Sequence, residues 1–225
     1  MMINISIISL TNDVKKREKL LHQLEGFPDD FIKIVDAVNG KELLASEYFK
    51  LFRCKGSRWT VRKILTPSEL GCFLSHKKAL EEFIISENDW LIVLEDDVTI
   101  SNKFDNDFIS NISTLNTDNI YILGGQDGLN CFNRVLLKKT KNLEFKKTIF
   151  GTHRWICRTC CYLLHRSSAE KILNIMKKDT FAIDDWPYII KKAKISSLQY
   201  VNYIHHPIDL SNSTIESERV FLNGD

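Results

Sequence analysis

Five apolar residues, Trp90-Leu91-Ile92-Val93-Leu94, run directly into three consecutive carboxylates, Glu95-Asp96-Asp97, followed by Val98. An uninterrupted apolar run of this length suits a strand buried on both faces, as in the middle of a parallel sheet. Three acids at its end repel one another, and in a partly dry site that repulsion calls for a compensating cation. Oxygen-only ligands favour a hard ion such as Mn²⁺ or Mg²⁺, which also holds phosphate oxygens. The stretch reads as a metal–diphosphate site at the carboxyl edge of a sheet, or as an acidic turn capping the next element.

The rest of the chain alternates strand and helix patterns. Asn4 to Leu10 reads as a first strand, and Thr11, Asn12 and Asp13 start a helix over Val14–Leu24 with Val14, Arg17, Leu21 and Leu24 on one stripe. Phe31–Val38 reads as a second strand closed by the turn dipeptide Asn39-Gly40, and Lys41–Lys50 as a helix. Thr66-Pro67-Ser68-Glu69 is a capping box with proline in the first turn, and the helix it starts should run to about Ser86. Leu70, Phe73, Leu74, Leu80, Phe83 and Ile84 form its apolar face, with Cys72 and His76 on the flank and Gly71 allowing close packing. Further expectations are a helix over 105–115, a strand over 119–123 ended by Gly124-Gly125, and a strand over 159–164. Ser167-Ser168-Ala169-Glu170 is a second capping box, and Ser197–Ile204 a late strand. Residues 126–158 read as a hairpin-rich insertion covering a site, and residues 209–225 as a polar tail. The whole argues for one α/β domain over 1–225.

Composition excludes several classes. A net charge of +2 gives no footprint for nucleic acid. No apolar run approaches the roughly 20 residues of a membrane span, and Met1 to Ser6 lacks the basic region of a signal peptide. A cytoplasmic protein is expected, so its six cysteines should be reduced. Cys157-x-x-Cys160 has the spacing of half a zinc site, but no second pair follows. The basic stretch Arg53, Lys55, Arg58, Arg62 and Lys63, with Trp59 among them, reads as a solvated loop or an anion contact. In Asp184-Asp185-Trp186-Pro187 two adjacent acids suit a general base, an N-cap, or both.

Taken together, Ile7-Ile8-Ser9-Leu10 with Arg17, Asp36-Ala37-Val38-Asn39-Gly40, Leu65 to His76, Leu94-Glu95-Asp96-Asp97-Val98, Tyr121-Ile122-Leu123-Gly124 and Ile183-Asp184 resemble glycosyltransferase family 25, which includes bacterial lipooligosaccharide galactosyltransferases. The likeness spans roughly residues 3–190. Its specific part is Glu69-x-Gly71-Cys72-x-x-Ser75-His76 followed by Leu94-Glu95-Asp96-Asp97. Ala182 stands where a proline is expected, and Gln126–Arg158 matches nothing in the pattern.

The resemblance implies a GT-A fold, with a mostly parallel central sheet flanked by helices. It also implies inverting transfer of a hexose, galactose from UDP-galactose being the leading choice, and a divalent metal. Glu95-Asp96-Asp97 would stand in for the DxD motif, Asp97 binding the metal with Glu95 as a further ligand, and Glu95 or Asp96 meeting the ribose or a bridging water. His205 or His206 would complete the shell. The nucleoside would lie against Ser9, Leu10 and Arg17, with Asp36 and Asn39 near the uridine, and Ser75 and His76 facing the sugar or diphosphate. Asp184, with Asp185 as the alternative, would be the base that takes the acceptor proton. The expected acceptor is a lipid-linked lipooligosaccharide core. It would bring the protein to the cytoplasmic face of the inner membrane, where Lys138, Lys139, Lys141, Lys146 and Lys147 or the Arg53–Lys63 stretch could meet anionic headgroups. A metal-dependent nucleotidyltransferase or phosphohydrolase, and a non-catalytic sugar-binding domain, are the competing readings.

Overall fold

The computed structural model describes residues 2–57, 63–141, 144–209, 215 and 217–219. The chain opens with β1 (Ile3–Ser9), α1 (Val14–Gln23) and β2 (Ile32–Asp36), followed by α2 (Ala45–Leu51) and the long α3 (Pro67–Ile85). Next come β3 (Trp90–Glu95), the two-residue β4 (Thr99–Ile100), α4 (Asn106–Asn111) and β5 (Asn119–Gly124). Hairpin strands β6 (Leu137–Lys139) and β7 (Lys146–Thr148) precede β8 (Cys161–His165), α5 (Arg166–Met176), α6 (Trp186–Ala193) and β9 (Ser197–His205).

The strands form one mixed sheet in the order β2-β1-β3-β8-β5-β9-β7-β6, with β4 paired to the end of β9. β1 is parallel to β2 and β3, and β5 is parallel to β9. β8 lies between β3 and β5 and is antiparallel to both. Consequently β1, β2, β3, β5 and β9 all point the same way. Their carboxyl ends, Ser9, Asp36, Glu95, Gly124 and His205, share one edge of the sheet.

Strand alternation divides the core into two layers. Leu91 and Val93 of β3 face α3, α5 and α6 through Phe73, Phe83, Ile172 and Ile189. Trp90, Ile92 and Leu94 face α1 and α4 through Leu20, Leu24, Phe108 and Ile109. The central apolar run is thus buried on both sides, as its composition requires. Leu20 of α1 and Leu24 at its C-cap are buried, while Val14 is exposed.

The α3 capping box forms as expected: Thr66 Oγ1 accepts from Glu69 N at 3.2 Å, and Glu69 Oε2 accepts from Thr66 N at 3.0 Å. Glu69 also receives Arg219 Nε at 2.9 Å, and Glu218 accepts from Ser68 N and Oγ, so these tail residues are held against the start of α3. Gly71 meets Gly40 backbone to backbone. A Cβ built on Gly71 would lie 2.6 Å from Gly40 N and Val38 O, which is why the Asn39-Gly40 turn can sit directly on the helix.

Several boundaries differ from the sequence reading. The helix expected over 41–50 begins at Ala45, because Asn39 Oδ1 accepts from Lys41 N and bends Gly40–Glu42 into a 3₁₀ turn. The helix expected over 105–115 tightens to a 3₁₀ turn after Asn111. The second capping box does not form at Ser167. His165 is the N-cap, its Nδ1 accepting from Ser167 N at 3.2 Å, while buried Ser168 donates to Thr117 O. The helix starts early because Arg166 is drawn to the far end of α3, where its guanidinium donates to the carbonyls of Ile84, Ser86 and Asn88. Within 126–158, β6 and β7 pair antiparallel, and β7 pairs with β9 to extend the sheet.

Candidate active site

The three acids of β3 arrive together at the shared carboxyl edge, where ligands collect in open α/β sheets. Glu95 is fixed first. Its backbone N donates to Cys160 O at 2.8 Å, and its Oε1 lies 3.1 Å from His76 Nε2 and 3.5 Å from Thr159 Oγ1. Burial works against the Glu95 charge, but the His76 hydrogen bond and charge, with His206 and Thr159, outweigh it and hold the carboxyl below its ordinary range. His76 is wholly buried on α3 and stacks on Tyr162, whose hydroxyl is 3.0 Å from its Nδ1.

Asp96 and Asp97 occupy the turn beyond. Burial raises Asp96 to about 6, with Asp13 and Asp97 adding repulsion and Ser9 and Lys16 partly offsetting it. Asp97 is raised by burial and then by the Glu95 charge, against the pull of His206 and Lys16. Asp97 Oδ2 is 3.5 Å from His206 Nε2. The remaining oxygens, Asp96 Oδ2 and Asp97 Oδ1, are buried without a partner. An acceptor-only group left unpaired in a dry site is costly. Two such oxygens on adjacent residues, beside an imidazole, are a donor set that fits a hard divalent cation.

His206 reaches Asp97 because β4 pairs with the end of β9, Thr99 opposite His205. Asp127 aligns the two histidines. Its Oδ1 is 3.0 Å from His205 Nδ1, and its Oδ2 accepts from His206 N at 3.0 Å. Of the two histidines expected at a metal, His206 faces the acids and His205 is turned to Asp127.

Asp184 and Asp185 separate in the same way. Asp185 is buried and caps α6, its Oδ1 accepting from Tyr188 N at 3.2 Å and its Oδ2 from Ser57 N at 2.8 Å. Both of its oxygens accept from backbone, so Asp185 serves as the cap of α6. Asp184 is half-buried, accepts from Arg158 N at 3.3 Å, and its charge reaches Cys72 and Cys157. Arg158 sits at φ 61°, in the left-handed region, and its guanidinium donates to the carbonyls of Gly125 and Asp127. The ends of the insertion, Gln126–Asp127 and Cys157–Arg158, therefore border this edge.

The nucleoside candidates fall into two groups. Ser9, Leu10, Arg17 and Asp36 gather at the ends of β1 and β2. Arg17 donates to Ser9 Oγ and Leu10 O, each at 3.2 Å, and Asp36 accepts from Thr11. Asn39 follows at the turn, its amide bonded to Glu42. Ser75 and His76, expected at the sugar or diphosphate, are both bonded within the protein. Ser75 is buried, donating to Gly71 O at 2.7 Å and accepting from Val38 N at 2.8 Å, and His76 lies behind Glu95. Their flank position on α3 turns them toward the sheet.

Sequence reasoning missed Asp127, Arg158, Thr159, Tyr162 and Lys16. Asp127-Gly128 read only as part of the hairpin-rich insertion. Arg158, Thr159 and Tyr162 reach the site only because β8 is inserted antiparallel between β3 and β5. Arg58, Trp59 and Arg62 of the basic stretch lie outside the described residues. Lys55 pairs with Asp179. All six cysteines are free thiols, and no described helix is long and apolar enough to cross a membrane.

The family profile described as Glycosyltransferase family 25 (LPS biosynthesis protein) matches residues 2–186. Procollagen galactosyltransferase 2 of Mus musculus is 35% identical over 104 residues, covering 44% of this chain but only 16% of the mouse protein. The Homo sapiens protein of the same name matches equally. Among solved structures, A197 from STIV superposes with a TM-score of 0.50 at 17% identity, covering 93% of this chain and 87% of its own. Residues 1–349 of S. aureus TarS superpose with a TM-score of 0.51 at 13% identity, covering 92% and 60%. These likenesses are of fold, and the α/β architecture is of the GT-A type.

Proposed function

Since this chain belongs to glycosyltransferase family 25, we propose that it is an inverting, metal-dependent hexosyltransferase that uses a nucleoside-diphosphate sugar. The observation that carries this reading is the pair of unpartnered buried oxygens on Asp96 and Asp97, beside His206 at the carboxyl edge of the sheet. Mn²⁺ or Mg²⁺ held by Asp97 and His206, with Asp96 beside it, would supply a Lewis acid for the departing diphosphate. Glu95, kept ionised by His76, adds fixed negative charge next to it.

Ser9, Leu10, Arg17 and Asp36, with Asn39 beyond them, form the wall against which the nucleoside would bind. Inversion requires a base on the face opposite the leaving group. Asp184 fits: its neighbour Asp185 is consumed as a cap, and its one described backbone donor, Arg158 N, leaves acceptor capacity for a hydroxyl proton.

Galactose is the proposed sugar, supported by the partial match to procollagen galactosyltransferase 2. A lipid-linked saccharide of the lipopolysaccharide core is the proposed acceptor, supported by the family's description. Work at the cytoplasmic face of the inner membrane, through peripheral contact, follows from that acceptor. The deciding experiment is a panel of nucleotide sugars with Mn²⁺ and truncated core oligosaccharide, read by mass. A single hexose added from UDP-galactose, and none after chelation, is the expected result. Donor hydrolysis without transfer, or transfer unaffected by chelation, would overturn the reading.

A further inference from the structure

Cys72 and His76 stand four residues apart on α3 and so project from the same face onto the end of β3. Cys72 Sγ, His76 Nε2 and Glu95 Oε1 all lie within 4.8 Å of one another. The Nε2···Oε1 distance is 3.1 Å and the Sγ···Oε1 distance 4.0 Å. In a tetrahedral zinc site, bonds of about 2.3 Å to sulfur and about 2.0–2.2 Å to nitrogen and oxygen set the ligand atoms roughly 3.4–3.6 Å apart. Each atom needs to move by less than about one ångström to reach that spacing.

The surroundings suit such an ion. Metal-bound histidines use their second nitrogen to fix the ring, and His76 Nδ1 is already 3.0 Å from the Tyr162 hydroxyl. Thr159 Oγ1, 3.5 Å from the same Glu95 oxygen, adds a neutral oxygen within reach. Access exists from solvent, since Cys72 is half-buried and the Glu95 side chain is 27% exposed. The donor chemistry also differs from that of the neighbouring acids. Sulfur, imidazole nitrogen and one carboxylate oxygen select a borderline-soft ion, whereas Asp96 and Asp97 offer oxygen to a hard one.

We propose that Cys72, His76 and Glu95 form a Zn²⁺ site, distinct from the Asp96–Asp97 pair. On binding, the Cys72 thiol proton passes to solvent as the Sγ–Zn bond forms. The Nε2 hydrogen also passes to solvent, leaving the imidazole with hydrogen on Nδ1, which donates to the Tyr162 oxygen, and Nε2 gives its lone pair to the ion. The His76–Glu95 hydrogen bond is exchanged for two metal bonds, so zinc takes Glu95 away from the acidic edge.

Cobalt(II) substitution tests this independently of sugar transfer. The full chain, saturated with Mg²⁺ to occupy oxygen sites, is titrated with Co²⁺. A thiolate-to-cobalt charge-transfer band should grow to a single equivalent and be abolished by Zn²⁺. It should vanish in Cys72→Ser and in His76→Gln and persist in a Cys131→Ser, Cys157→Ser double variant. No band in the wild type, or a band that survives in Cys72→Ser, would overturn the proposal. Should the variants not fold, anomalous scattering at the zinc edge from zinc-soaked wild-type crystals decides. A peak between the three ligand atoms supports the site, and its absence there sinks it.

Discussion

His206 Nε2 lies 3.5 Å from Asp97 Oδ2, joining the end of the last strand to the acidic turn after the third. The contact exists because β4 zips onto β9 and Asp127 grips the backbone of His206. Asp97→Ala and His206→Ala should therefore fail in the same way. With the Mn²⁺–UDP complex at about 100 times its dissociation constant, the wild type should gain about 2.7 kcal/mol of stability. Differential scanning fluorimetry should show most of that gain lost in both variants.

Asp184 and Asp185 are adjacent but should give different phenotypes. Asp184→Asn should reduce kcat by about 10²–10⁴-fold, the usual worth of a general base, with donor affinity retained. Asp185→Asn keeps an oxygen for Tyr188 N and should cost stability more than chemistry. Asp185→Ala should lose about 1 kcal/mol or more, because a cap and a buried acceptor go together. Single-turnover kinetics and urea unfolding separate the two effects. Equal loss of kcat in both Asn variants would count against Asp184 as the base.

The metal-free protein should show the Asp96 titration. Its carboxyl is raised by burial from the ordinary 3.8 to about 6. The native state therefore binds more protons than the unfolded chain between those values, and stability from this group falls as pH rises through the window. Above about pH 6 the penalty is complete. Asp96→Asn removes it, so the melting-temperature difference between variant and wild type should grow from pH 4 to pH 6 and then level off. A difference that shrinks over that range would contradict the assigned cause.

Gly71→Ala should destabilise the protein by about 1–3 kcal/mol, the range for forced overpacking. The new methyl would meet Gly40 N and Val38 O at 2.6 Å, and backbone atoms there have little room to yield. Chemical denaturation measures the loss. A variant as stable as the wild type would mean that the turn lifts off the helix freely.

Arg166→Ala should release the end of α3. The guanidinium bonds three carbonyls there and lies over the Phe83 ring, 5.0 Å from its centroid. Loss of hydrogen bonds from a charged donor, at about 1.5–3 kcal/mol each at most and not additive, predicts a drop of several kcal/mol. Faster hydrogen exchange over 83–88 should accompany it.

Local chemistry alone made much of this protein legible. The run from Trp90 to Leu94 reads as a strand buried on both faces, and its three acids as a sheet-edge site or an acidic turn, of which the structure shows the sheet edge. Thr66, Pro67 and Glu69 start α3 through bonds made within one helical turn, so no distant residue was needed to foresee them. What the chain order could not convey was how two neighbouring residues of like chemistry divide their tasks. Asp184 and Asp185, His205 and His206, and Asp96 and Asp97 are near-equivalent as letters. Backbone donors from Ser57 and Arg158 separate the first pair, the Asp127 carboxylate the second, and Ser9 and His206 the third, and each arrives from another part of the chain. Ser75 and His76 went to the interior for the same reason: which side of a helical flank meets solvent depends on where β3 and β8 lie. Helix caps and buried strands are set by contacts a few residues long, whereas a polar site is assembled by pairings that only the closed sheet brings within reach.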